Sequence, residues 1–248
     1  MYLPQIRSIH MEITVNSLVK KFGEKIAVDI PQLNIGNGEI IGLVGNNGAG
    51  KTTLFLLMLD LLKASAGSVG FKTREGLSIH PTESEEWKDY TGAYIHEGFL
   101  IGFLTPEEYF HFIARVNGIS DEEMRKRLEL LAPLMMGEIL EQNKLIREFS
   151  AGNKQKIGII GAMLNTPDLL ILDEPFNFLD PSGQNVLKKV LTDYHNTTSA
   201  TILISSHNLQ YTVDISTRII LLEHGNVIKD LPNNEGSAAQ ELNDYFSV

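Results

Sequence analysis

Residues 39–62 hold three patterns in immediate succession, and together they leave little choice of fold. EIIGLV at 39–44 is an apolar, β-branched run, the composition of a strand buried on both faces. GNNGAGKTT at 45–53 satisfies G-x-x-x-x-G-K-[ST]. Residues 51–62 then stay apolar for too long to be a strand, which predicts a buried helix. Strand, glycine-rich turn and helix are the opening of an α/β unit. Glycines at such a turn let the backbone curl until successive N–H groups point inward, a cradle for phosphate oxygens. The helix that starts there adds its positive end.

This pattern makes Gly45, Asn46, Asn47, Gly48, Ala49, Gly50, Lys51, Thr52 and Thr53 the expected nucleotide contacts. Lys51 supplies a point charge for the β- and γ-phosphates, and the Thr52 hydroxyl can ligate Mg²⁺. A second stretch, LLILDEP at 169–175, reads as a buried strand that presents Asp173 and Glu174 at its carboxyl end. In open α/β sheets ligands bind at that end. Asp173 is placed to hold Mg²⁺, and Glu174 to polarise a water for attack on the γ-phosphate.

Composition excludes several classes. The chain has 248 residues, enough for a sizeable core, with 43% apolar and 21% charged residues and no cysteine. Disulfide scaffolds, Cys-type zinc sites and thiol catalysis are therefore out. Lys and Arg number 21 against 31 Asp and Glu, a net charge of −10, so nucleic acid is not an expected partner. No apolar run approaches the roughly 18–20 residues that span a bilayer, and MYLPQIRSIH carries no secretory apolar core. The expected place is the cytoplasm, at a membrane only through a partner. Residues 1–10 read as a loose extension.

Along the chain, 11–20 alternates as a half-buried strand does, and 68–95 reads as further short strands. Thr105-Pro106-Glu107-Glu108 offers an N-cap, a first-turn proline and a Glu three residues after the cap, for a helix ending near Asn117-Gly118. Ser120-Asp121-Glu122-Glu123 repeats the pattern for a second helix, with Pro133 expected to end or interrupt it. Then come a helix over 152–164, a strand over 169–173, a helix over 181–195, a strand over 201–206, a hairpin over 218–230 turning at His224-Gly225, and a short helix over 237–247.

With these motifs in order from about residue 11 to 230, the sequence resembles the nucleotide-binding subunit of the ATP-binding cassette (ABC) transporter family. Phe149-Ser150-Ala151-Gly152-Asn153-Lys154-Gln155 looks like that family's signature, usually written LSGGQ, just upstream of the Asp173–Glu174 strand. Asn177-Phe178-Leu179-Asp180 resembles the D-loop, His207 the switch histidine, and Phe22 the aromatic residue that stacks on adenine. Tyr94-Ile95-His96-Glu97 sits at the Q-loop. The resemblance implies an α/β fold: a P-loop NTPase core with an N-terminal antiparallel β subdomain and an inserted helical subdomain. One cassette would span 1–248, as 11–97, the insertion 98–150, and 151–248. It implies ATP and Mg²⁺ as cofactors, with Glu174, His207 and Lys51 catalytic. Phe22, Ser150, Gly152 and Asp180 would join the phosphate loop in binding ATP, and Thr52, Asp173 and Glu97 would lie at the metal.

The implied function is ATP hydrolysis that powers transport through ATP-driven dimer closure. The partners would be a separate transmembrane permease and a second cassette subunit, a homodimer being simpler than a heterodimer. A soluble ABC ATPase serving a cytosolic protein assembly is the alternative. A GTPase is disfavoured because no N-K-x-D stretch occurs: Asn143-Lys144 is followed by Leu145-Ile146. Three positions depart from the family pattern: Ala151 and Asn153 in the signature, and Glu97 where the Q-loop has Gln. The departures in the signature predict slow basal hydrolysis. Residues 98–104, GFLIGFL, are apolar for a connecting segment and are a candidate groove for a permease helix.

Overall fold

The computed structural model describes residues 11–73, 76–207, 209–233 and 236–246. The extension expected over residues 1–10 lies outside them.

Two sheets organise these residues. The first is antiparallel, in the order β2-β1-β4-β5, from β1 (Met11–Phe22), β2 (Lys25–Ile35), β4 (Ala66–Thr73) and β5 (Ser78–Ile79). The second has the order β10-β9-β3-β8-β7-β6. Its strands are β3 (Ile40–Val44), β6 (Thr91–Tyr94), β7 (Leu169–Leu172), β8 (Thr201–Ser206), β9 (Arg218–Glu223) and β10 (Asn226–Pro232). All its pairs are parallel except the β9–β10 hairpin. β3 lies inside this sheet with β8 on one side and β9 on the other, so the loop that follows it opens at the centre of the carboxyl edge.

β2 does not follow from the sequence patterns above. Pro31 breaks its appearance as a strand, yet β2 is an edge strand, where a missing N–H costs no ladder bond.

Helix α1 (Lys51–Met58) fills the space between the sheets. Its Leu54, Phe55 and Met58 are buried with Ile13, Val15, Val28 and Ile30 of the antiparallel sheet and Ile171 and Leu203 of the parallel one. The helix is shorter than the expected 51–62. Asp60 takes a left-handed φ of 50°, and the amides of Leu61 and Leu62 both turn back to the Leu56 carbonyl.

On the sheet's other face Leu170, Leu172, Ile202 and Ile204 meet α4 (Ala151–Met163) and α5 (Pro181–Thr198). The period of two along β7 explains the division: Leu169 and Ile171 face α1, and Leu170 and Leu172 face α4.

Residues between β6 and β7 supply α2 (Pro106–Val116) and α3 (Asp121–Met135). The capping box expected at Thr105 is present in both halves, with the Glu108 amide donating to Thr105 Oγ1 at 3.3 Å and the Thr105 amide to Glu108 Oε2 at 2.9 Å. At Ser120 only the first half forms, because Glu123 pairs instead with Arg127 at 2.8 Å. Pro133 neither ends nor interrupts α3, which runs to Met135. The carbonyl it leaves without an amide belongs to Glu129, an exposed residue that water can satisfy. Two further helices, α6 (Leu209–Ile215) and α7 (Ala239–Phe246), close the far edge around Val213 and Leu242; α6 is absent from the expectations above.

Candidate nucleotide site

The phosphate loop is held from behind. Gly50, at the start of α1, has φ 108°, and a Cβ there would lie 2.5 Å from the Ala27 carbonyl, so no larger residue fits. The turn of the β9–β10 hairpin braces the loop, with the Gly225 amide donating to the Ala49 carbonyl at 2.8 Å. Asn46, Asn47 and Gly48 are exposed at the tip, while Ala49 is buried. Lys51 is the first residue of α1 and is only 7% exposed. Its ammonium donates to the Gly45 carbonyl at 2.7 Å and lies 3.4 Å from Glu174 Oε1. The Lys51 cation thus sits beside the loop, compensated by the Glu174 carboxylate that follows β7.

Asp173 follows β7 and is buried. Thr52 Oγ1 donates to its Oδ2 at 2.5 Å, and Ser205 Oγ donates to its Oδ1. Burial pushes its carboxyl above the usual carboxylate range, against the pull of the two hydroxyls and of Lys51. A carboxylate and a hydroxyl side by side are the hard oxygen donors that Mg²⁺ takes. Among the described residues no three His, Cys, Asp or Glu side chains converge on a cation. These donors therefore fit an ion that keeps waters and phosphate oxygens for its remaining positions.

Glu174 turns the chain out of the strand with a left-handed φ of 48°. Its amide donates to Ser205 Oγ at 2.8 Å, and its carbonyl accepts from Gln155 Nε2 at 3.0 Å. One carboxylate oxygen faces Lys51. The other lies 2.9 Å from His207 Nδ1 and accepts from the His207 amide at 3.2 Å. Lys51, Thr52, Asp173, Glu174 and His207 therefore meet at the carboxyl ends of β3, β7 and β8.

The remaining candidates lie around this group or face away from it. Phe22 ends β1 and is 51% exposed, with Lys20 Nζ 4.9 Å from its ring centroid, so it is no core aromatic. Ser150 caps α4, its Oγ accepting from the Asn153 amide at 3.3 Å. Ala151 is exposed on the first turn. Gly152 packs against the segment after β7, where a Cβ would lie 2.6 Å from the Phe178 carbonyl. Asp180 caps α5 through the Gly183 amide at 2.8 Å. Glu97 pairs with Lys154 of α4 at 3.1 Å.

Ser205 was not among the candidates, and no individual role was expected of Gln155 or Lys154 within the signature stretch. The first follows from register. β7 pairs with β8 as Leu172↔Ile204, so the next residues along, Asp173 and Ser205, are neighbours. The other two lie one turn into α4, and their contacts become visible only once that helix is placed against β7.

The family described as ABC transporter matches residues 28–177. The chain is 35% identical over 214 residues to the ABC transporter ATP-binding protein YhaQ of Bacillus subtilis, covering 86% of this chain and 68% of that one. It is 33% identical to the bacitracin transport ATP-binding protein BcrA of Enterococcus faecalis, over 90% of this chain and 70% of that one. Among solved structures it resembles an ATP-binding subunit of an ABC transporter with a TM-score of 0.77 at 25% identity, covering 95% of this chain and 93% of that one. A dimeric bacterial ABC transporter cassette matches with the same score and identity, over 90% of this chain and 99% of its own. By fold, by the order of its motifs and by these matches, the chain belongs to the ABC transporter family, as one of its ATP-binding subunits.

Proposed function

We propose that Lys51, Thr52, Asp173, Glu174 and His207 form the hydrolytic centre of this subunit, and that it drives a separate transmembrane permease. The convergence of these five side chains at the phosphate loop carries the reading. Glu174 accepts a proton from a water as the water oxygen attacks the γ-phosphorus. The bond from that phosphorus to the β–γ bridging oxygen breaks, leaving ADP and inorganic phosphate. Lys51 neutralises charge on the β- and γ-phosphates, and His207 holds the Glu174 carboxylate in orientation. Mg²⁺ bound by Thr52 and Asp173 would add charge neutralisation at the same phosphates.

Phe22, exposed at the edge of the antiparallel sheet, stacks on the adenine, and a base offers a π-face without any specific hydrogen bond. Ser150 and the Gly152 amide open α4, and Asp180 opens α5. These ends meet the ATP of a second copy of the chain, so that two ATP molecules close a head-to-tail homodimer. Glu97, held by Lys154, stands at the Q-loop and reaches the metal only if that pair opens.

No helix among the described residues is long and apolar enough to cross a membrane. Phe99 and Phe103, 50% and 70% exposed, are the surface for the permease. Relatives of this chain are named for bacitracin, lantibiotic and sulfate or thiosulfate transport. That spread supports a reading in which the permease selects the cargo. The deciding experiment is Glu174→Gln. It should keep ATP, accumulate an ATP-bound dimer on gel filtration, and lose about 10²–10⁴ in turnover. Near-parental hydrolysis would refute the role of Glu174.

A further inference from the structure

Gln155 lies in the second turn of α4 and is 3% exposed. Its Nε2 donates to the Glu174 carbonyl at 3.0 Å and to the Pro175 carbonyl at 2.5 Å. A side-chain amide has two N–H donors, and both are spent on this one turn. The next carbonyl, Phe176, accepts from Gln184 Nε2 of α5 at 3.0 Å, and the Glu174 amide is held by Ser205 at 2.8 Å. The backbone from 174 to 176 is therefore fixed by side chains from two helices and a neighbouring strand, with no sheet ladder of its own.

That support is needed because Glu174 has a left-handed φ of 48°, which a residue with a Cβ disfavours. The carboxylate direction depends on this φ. The same helix touches the segment a second time, where Gly152 leaves no room for a Cβ against the Phe178 carbonyl. Gln155 and Gly152 thus dock the phosphate-facing end of α4 onto the chain that carries Glu174.

We propose that Gln155 is a positioning residue for hydrolysis: through the carbonyls of Glu174 and Pro175 it ties the aim of the Glu174 carboxylate to the docking of α4. The proposal rests on Glu174 as the water-polarising group. ATP binding to the isolated subunit does not pass through this contact, since its own phosphate loop and Phe22 stand on other elements. Loss of the amide therefore lowers turnover and leaves nucleotide affinity in place.

The test compares the full chain with Gln155→Met, Gln155→Glu and Glu174→Gln, measuring kcat and KM for Mg-ATP and the Kd of a fluorescent ATP analogue. Gln155→Met keeps the volume and removes both donors. It should lower kcat at least tenfold while KM and Kd stay within twofold. Gln155→Glu donates only when its carboxyl is protonated. Its kcat relative to the parent should therefore rise as pH falls. Lys51, Asp173, Glu174, His207, and Lys154 and Lys156 on α4, are present around this turn in both proteins, so the readout is the ratio of variant to parent and not either pH profile alone.

A kcat for Gln155→Met within twofold of the parent, or a loss of affinity in step with kcat, would overturn the proposal. If Gln155→Met does not fold, the Gln155→Glu ratio decides alone: a ratio flat with pH overturns it. Glu174→Gln separates the two levels. Full activity there removes the role of Glu174 itself, whereas loss there with an intact Gln155→Met removes only the positioning role.

Discussion

Nδ1 of His207 lies 2.9 Å from Oε2 of Glu174, and the His207 amide donates to the same oxygen at 3.2 Å. The carboxylate is thus gripped twice by one residue, once through the ring and once through the backbone. His207→Ala removes the ring and leaves the amide. Its turnover should drop by less than the roughly 10²–10⁴ expected for Glu174→Gln, with ATP affinity retained. Because the two side chains act as a unit, His207→Ala added to Glu174→Gln should cost almost nothing further. Steady-state rates on the two single variants and the double variant check this.

Asp173 gives a prediction about stability. Burial raises its carboxyl in the folded chain above the ordinary carboxylate range. A folded-state value above the unfolded one means that the native state binds the extra proton, so stability falls as pH rises through the interval between them. The cost of the ionised group is then fully present at neutral pH. Asp173→Asn should raise the Tm of the nucleotide-free chain at pH 7, with the gain shrinking as pH falls through the raised folded-state value and gone below about pH 4, where the carboxyl is protonated in both states. It should also abolish Mg-dependent turnover. Thermal melts across pH, without nucleotide, decide the point; an unchanged or lower Tm at pH 7 would contradict it.

Phe22 and Lys51 separate base binding from phosphate binding. Phe22 is half exposed, so Phe22→Ala should leave the melt unchanged and weaken ATP by on the order of 1–3 kcal/mol, the worth of one lost stack. Lys51→Ala removes the cation beside the loop and should weaken ATP far more. Titration with a fluorescent ATP analogue, repeated with inorganic triphosphate as competitor, distinguishes them: Phe22→Ala should leave triphosphate binding intact.

The connecting segment after β6 predicts a partner contact. Leu100 packs against the core around α4, while Phe99 and Phe103 stand out from it. Phe99→Glu or Phe103→Glu should therefore leave the isolated subunit folded and its ATP binding normal. Copurification with the permease should fall. An unaffected complex would mean that the segment's apolar character serves only its own packing.

Much of this molecule can be read before it is folded, because the informative signals are local. The curl at 45–53 needs its glycines, the box at Thr105 needs a Glu three residues on, and the apolar run before Asp173 needs burial on both faces. The misreadings arise where a distant element decides. Pro31 is tolerated because β2 is at an edge, and Pro133 because the carbonyl it leaves faces water. Ser205 reaches Asp173 through a strand register that no spacing encodes. The same holds for Glu97, whose partner Lys154 sits on a helix 57 residues along the chain.

The central position of β3 has a consequence for biosynthesis. Val44 pairs with Ser206 on one side and Leu221 on the other, and Gly225 braces the loop from behind. A ribosome adding about 5–20 residues per second needs roughly ten to thirty-five seconds to travel from one end of these pairings to the other. Until β8 is made β3 carries two unsatisfied edges, and one until β9 follows, beside an apolar surface, which is the situation that invites chaperones and penalises slow codons. A nascent chain halted before β9 would therefore hold every phosphate-loop residue of the sequence and still be unable to grip ATP.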